Sequence, residues 1–434
     1  MMCGFVELAI MTRILFVFAA LLPAAWLPAQ VLPQVPPERA GISLDRLNRI
    51  RPAMERDIAN GEMAGGVGLI ARRGQIAYFD TWGMSDREAN KPMQKDSIFR
   101  MFSMTKAVTG VAVMTLYEEG RFSLHDPLSK FLPEFAHMKV ATERTDPATG
   151  KRIYYTVPAQ REITILDLLR HTSGLNYAGP RDENGESIYR KLGLGGGDAV
   201  YPLSEMIRRL ASAPLVHQPG TIWDYSYSID VLARLVEVVS GQPVDRYFAE
   251  RIFKPLRMVD TGYYVPEEKW GRLAALYTPN PGGPIKRSTE AAQDSYKKKP
   301  VLLGGGSGLV STAMDYARLV QMLLNQGHLD GAQILSPKTV DLMRSNQLGD
   351  LPSVNNVNGR VGYGFGLTFA VNLGIEKTGT IGSPGEYNWG GAAGTAFWID
   401  PKEQMIGVFM VQVMPQLTTK DQFKHLAYQS IIGN

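Results

Sequence analysis

The chain has 434 residues, 46 Lys+Arg against 42 Asp+Glu, a formal net charge of +4 and one cysteine. With 44% apolar residues it can bury a large core, which excludes wholesale disorder, and its length predicts two lobes or domains. So small a charge leaves no electrostatic footprint for nucleic acid, and the basic run Lys297-Lys298-Lys299 before Pro300 reads as a solvated loop.

In chain order, the first segment reads as an address. Ile14 to Leu22 is an apolar run preceded by Arg13 and followed by Pro23 to Ala29. A positive n-region, a short h-region and a small-residue exit predict a signal peptide over residues 1–29, with Met11 as an alternative start, and hence a periplasmic or secreted protein. The run is too short for a spanning helix, which needs about 20 apolar residues, so no stable membrane anchor is expected. Cys3 precedes the run and leaves with the leader. The mature chain then has no thiolate nucleophile and no disulfide. Gln30 to Arg39 is Pro-rich and reads as an extended linker.

Leu44 to Ala59 has helical spacing, and Gly66 to Arg72, the turn Arg73-Gly74 and Gln75 to Phe79 read as a hairpin. A helix is predicted from Met104 to Glu119. Residues 120 to 295 alternate helical stretches (Ile165–Arg170, Leu203–Ala211, Ile229–Val239) with Pro/Gly loops and show little strand character. Strand patterns return at Gly366–Val371, Thr395–Ile399 and Met405–Val411, and a helix over about Lys420–Ile432 closes the chain. Early and late strands with helices between predict an α/β (α+β) fold. One antiparallel sheet lobe is built from residues 30–115 and 296–434, flanked by helices, with an inserted all-helical lobe over 116–295.

The chemistry concentrates at Ser103-Met104-Thr105-Lys106, an S-x-x-K tetrad. Residues i and i+3 share a helix face, which sets an amine beside a hydroxyl that needs activation. A second tetrad, Ser295-Tyr296-Lys297-Lys298, lies in a polar, Pro-terminated loop with no helix to hold its lysine. No H-E-x-x-H pair or G-x-S-x-G elbow occurs, and Gly304-Gly305-Gly306-Ser307-Gly308 lacks the Lys of a phosphate-binding loop. His171 and Ser173, two apart in a loop, are poorly placed as base and nucleophile.

Phe99 to Lys106 resembles the nucleophile motif of serine β-lactamases and penicillin-binding proteins. Gly220 to Tyr227 resembles that family's second motif. Leu124–Leu128, Leu168–Leu175 and Gly308–Thr312 look like its structural landmarks. The resemblance spans roughly residues 40 to 432 and is nearest the class C β-lactamase-related group. Where Y-x-N is usual the chain has Tyr225-Ser226-Tyr227, followed by Asp230, which is similar to family VIII carboxylesterases. The third motif, usually K-T-G, has two candidates, Lys377-Thr378-Gly379 and Trp389-Gly390-Gly391. The second runs directly into Thr395–Ile399 and matches the W-x-G of those esterases, so it is preferred.

The resemblance implies a penicillin-binding-protein-like fold and a serine carboxylesterase acting on short-chain or aryl esters, with weak β-lactam hydrolysis as a side activity. Ser103 attacks the carbonyl, Lys106 and Tyr225 share the base role, and the choice of immediate base stays open. Backbone N–H groups of Ser103 and Ala392 hold the oxyanion, and Trp389, Gly390, Gly391, Asp230, Tyr227 and Tyr177 bind substrate. No metal or cofactor is needed, the partner is a small-molecule ester, and oligomeric state is left open. Trp in place of the motif's Lys removes a carboxylate-binding cation and offers an apolar wall to uncharged groups. The alternatives are a serine β-lactamase or D-amino-acid peptidase and, in another class, a catalytically inactive penicillin-binding-type sensor.

Overall fold

Two apolar runs, Gly65–Arg72 (β1) and Met405–Met410, are buried along their whole length. Such runs form where a sheet is covered on both faces, and here they pair antiparallel at its centre. The computed structural model describes residues 32–434 except 183, 195–199, 355, 358, 416–418 and 434; the expected leader, with Cys3 and Met11, lies outside the described residues.

The remaining strands are Gln75–Asp86 (β2), Lys91–Pro92 (β3), Tyr363–Phe365 (β4), Ala370–Asn372 (β5), Tyr387–Gly390 (β6) and Ala396–Asp400 (β7), with Met405–Met410 as β8. The order in this eight-stranded sheet is β4-β5-β6-β7-β8-β1-β2-β3, and every pairing is antiparallel. Strands from both halves of the chain thus build one sheet, as the hydrophobic pattern predicts.

The period-2 alternation of a strand sorts side chains between the faces. Val67, Leu69, Ile406 and Val408 join one apolar cluster, together with Leu319, Val320 and Leu323 of the helix Ala313–Leu324. Ile70, Met405 and Phe409 join another, with Met54 of Ile50–Ala59 and Phe423 of Thr419–Gln429. Each such side chain contributes roughly 1.5–3 kcal/mol when fully buried. The first cluster continues through Val111 into Leu169, Leu232 and Val236, so sheet and intervening helices share one core.

Three expectations are corrected. Leu44–Ala59 is two helical pieces, Leu44–Leu47 and Ile50–Ala59. Gly366–Val371 is not one strand: Gly366–Phe369 form the turn between β4 and β5, and Ala370 and Val371 begin β5. Gly366 N–H donates to Phe369 O, Thr368 has φ 72°, and the N–H groups of Leu367 and Thr368 donate to Met343 O and Leu169 O. Neighbouring carbonyls thus replace a strand partner, which local apolar spacing does not register. Finally, residues 116–295 are not all helix: Lys139–Thr145 pairs with Arg152–Pro158, and Tyr277–Asn280 with Gly283–Arg287. The first hairpin is largely exposed, so it lacks the buried alternation that marks a core strand. Among the described residues no helix is long and apolar enough to cross a membrane.

Candidate active site

Thr105–Glu118 is buried on every side from Thr105 to Leu116, as a helix apolar all round must be, so its N-terminal turn is held rigidly inside the molecule. Ser103 lies in the 3-10 turn Phe102–Met104 that leads into this helix, and Phe102 before it has φ 46°, a conformation that costs a bulky residue roughly 1–3 kcal/mol.

One helical turn on, Lys106 is 1% exposed. Its Nζ donates to Ser103 Oγ at 3.3 Å and to Gly306 O at 2.7 Å, and lies 4.7 Å from the ring centre of Tyr225. The glycine run unexplained by sequence therefore has a use. A Cβ on Gly305 would fall 2.4 Å from Ile229 O, so only glycine lets this segment lie against the helix Ser228–Ser240 and present the Gly306 carbonyl to the lysine. The carboxylate of Asp230 accepts from Gly306 N–H at 2.9 Å. Burial raises the Asp230 carboxyl, while Lys106 and the Gly306 N–H pull it back down.

Tyr225 comes from the loop before Ser228–Ser240, and its hydroxyl donates to Ser103 Oγ at 2.8 Å. The loop is pinned by Trp223 N–H on Pro352 O and Asp224 N–H on His171 O. The His171 ring packs 5.0 Å from that of Tyr225, and its Nδ1 shares a 3.0 Å hydrogen bond with Ser226 Oγ. Burial, then the Lys106 charge, hold His171 well below the ordinary histidine value. It does not meet Ser173, whose hydroxyl bonds Ser228 instead. The nearby His-Thr-Ser-Gly segment is anchored by buried Asp167, paired with Arg161 and Arg170. Burial alone would raise the Asp167 carboxyl, but Arg161 and Thr164 hold it below the ordinary value.

Trp389 lies in β6, buried, with its ring 5.4 Å from that of Tyr225. Gly391 follows, and a Cβ there would stand 2.4 Å from Met101 O, so the turn Gly391–Gly394 abuts the segment leading to Ser103. Ala392 lies in that turn, and among the described residues its N–H meets no acceptor. Ser103, Tyr225, Trp389, Gly390, Gly391 and Ala392 line one cleft of about 820 Å³.

The structure thus brings together Ser103, Lys106, Tyr225, Trp389, Gly390, Gly391 and Ala392. The other three expected residues stand behind or beside them. Asp230 is engaged with the glycine segment and does not line the cleft. Tyr227 is buried against Tyr177 and Tyr189, and burial first and then Asp230 push its phenol up to about 12. Tyr177 packs edge-on to Tyr225 at 5.2 Å. Lys377-Thr378-Gly379 forms the end of a short helix and its cap, and only Thr378 and Gly379 touch the cleft. Ser295 likewise ends the helix Glu290–Asp294, and Lys297 pairs with Asp294. Sequence reading missed the Gly304–Gly306 carbonyl platform, the His171–Ser226 contact and the cleft residues of the C-terminal helix, Lys420 among them. A glycine run before an apolar strand was the available signal for the first.

Residues 48–428 match the family described as Beta-lactamase. An uncharacterized protein of Mycobacterium tuberculosis is 35% identical over 364 residues, 82% of this chain and 88% of its own. Esterase EstB of Burkholderia gladioli is 31% identical over 370 residues, 81% of this chain and 86% of its own. Among solved structures, EstCE1, a hydrolase with promiscuous acyltransferase activity, superposes with a TM-score of 0.71 at 27% identity, over 90% of this chain and 99% of its own.

Proposed function

The chain belongs to the beta-lactamase family as an esterase-type serine hydrolase, and from that premise we propose that it hydrolyses short-chain or aryl esters through an acyl-enzyme on Ser103. One observation carries the reading: Tyr225 Oη and Lys106 Nζ both lie within hydrogen-bond reach of Ser103 Oγ, at 2.8 and 3.3 Å.

Ser103 Oγ attacks the ester carbonyl as its proton passes to Tyr225, acting as phenolate beside the Lys106 ammonium, or to Lys106 itself. The carbonyl oxygen becomes an oxyanion held by the N–H groups of Ser103 and Ala392; losing one such donor typically costs about 3–4 kcal/mol. The C–O bond then breaks and Tyr225 gives a proton to the departing alcohol; where Lys106 was the base, its proton passes on to Tyr225. Water, deprotonated by the same base, attacks the acyl-enzyme, and Ser103 Oγ leaves with the proton. Trp389 against Tyr225 supplies an apolar wall, and weak β-lactam hydrolysis accompanies the ester activity. The partner is a small-molecule ester, and the protein acts after export through the leader of residues 1–29.

The test sets 4-nitrophenyl butyrate, a chromogenic cephalosporin and a D-Ala-D-Ala peptide side by side, with Ser103→Ala as control. Ester turnover dominates and disappears in the variant if the reading is right. Ester turnover that survives Ser103→Ala, or cephalosporin turnover without it, contradicts it. Sequencing the N-terminus of the exported protein checks the leader, with Gln30 expected first.

A further inference from the structure

The strand that carries Trp389 also faces a cation. Lys420, in the first turn of the helix Thr419–Gln429, lines the cleft, and its ammonium lies 4.0 Å from where a Cβ on Gly390 would stand. Gly390 sits between Trp389, which touches Tyr225, and Gly391, which abuts Met101 O. Lys420 and Ser103 line the same cleft.

Two lysines of this helix line the cleft, and they differ in kind. Lys424 is neutralised by buried Glu386 at 2.6 Å. Lys420 has no hydrogen-bond or ion-pair partner among the described residues. Arg360 lines the same cleft: one guanidinium nitrogen donates to Asn388 Oδ1 at 3.0 Å, its Cζ lies 4.1 Å from the centre of the Tyr363 ring, and its Nε is buried without an acceptor among the described residues. Among the described lining residues the only carboxylate is exposed Asp421. Burial holds the Lys420 ammonium below the ordinary lysine value; Asp421 raises it and Arg360 lowers it further. A half-desolvated cation short of a counter-charge gains from an anion more than a solvated one does.

We propose that this wall is an anion subsite: the esters this enzyme turns over best carry a carboxylate, a few carbons from the scissile carbonyl, that pairs with Lys420 and Arg360. The inference rests on the esterase reading above and alters one part of it. The Trp in place of a motif Lys does not leave the cleft without a cation, because the C-terminal helix supplies one.

Glutarate and uncharged glutaramide, compared as inhibitors of 4-nitrophenyl butyrate hydrolysis by the wild-type protein, need no variant. Glutarate should inhibit at about tenfold lower concentration, and equal inhibition overturns the proposal. With 4-nitrophenyl hydrogen glutarate against 4-nitrophenyl butyrate, the kcat/KM ratio should fall about tenfold in Lys420→Met and further in Lys420→Glu. An unchanged ratio overturns it. Calorimetry with glutarate alone separates the two readings. Binding that is lost in Lys420→Glu, with no ester turned over, keeps the subsite while the esterase reading fails. Butyrate turnover without glutarate binding does the reverse.

Discussion

Lys377-Thr378-Gly379 and Trp389-Gly390-Gly391 lie a few residues apart and differ in an instructive way. The first has the letters of the family's third motif and forms the end of a short helix at the cleft's edge. The second has different letters and ends a strand against the segment that carries Ser103. The two S-x-x-K tetrads repeat the contrast. Ser103 heads a fully buried helix, whereas Ser295 follows a short exposed one. A motif's chemistry follows from the rigid element beneath it, because a nucleophile and its base must be held within a fraction of an ångström.

The sharpest way to break that comparison is to mutate both members of each pair. Ser103→Ala should lower 4-nitrophenyl butyrate turnover by at least roughly 10³-fold, while Ser295→Ala stays within about twofold; initial rates decide. Next, Tyr225→Phe should cost roughly 10²–10⁴-fold in kcat with the fold intact by circular dichroism, since it removes a proton carrier and little volume. For the third motif, Trp389→Leu should raise KM about tenfold through lost ring contact, and Lys377→Ala should change it less than twofold.

Two further predictions concern the buried supports. Asp167→Ala should lower stability by about 2–3 kcal/mol in urea titration, the value being moderated because Arg161 is half exposed. Its folded carboxyl lies below the ordinary 3.8. The stabilisation is therefore present above about pH 4 and lost as pH falls through the depressed folded value. His171 is also depressed, from 6.5, so the unfolded state binds its proton first as pH drops. Stability should be highest above about pH 6.5 and decline below it by up to about 1.4 kcal/mol per unit, a slope that His171→Asn removes.

Much of the site was legible because its elements carry strong local patterns. The helix after Ser103, the loop before Ser228 and the strand after Gly394 all announce themselves by spacing and composition. What escaped was set by distance in the chain. Lys106 rests on a carbonyl from Gly306, His171 on a hydroxyl from Ser226, and Lys420 reaches the cleft from the C-terminal helix. None of these partners is implied by its own neighbours in sequence. The turn at 366–369 escaped for a related reason, its backbone donors being satisfied by Met343 and Leu169.

The most direct measurement is intact-protein mass spectrometry of the trapped acyl-enzyme after a short exposure to 4-nitrophenyl butyrate and acid quench, followed by peptide mapping. One added butyryl group is expected, located on Ser103 and absent from Ser103→Ala. A butyryl group on Ser295 or any other residue, or continued hydrolysis by Ser103→Ala at the wild-type rate, would contradict it.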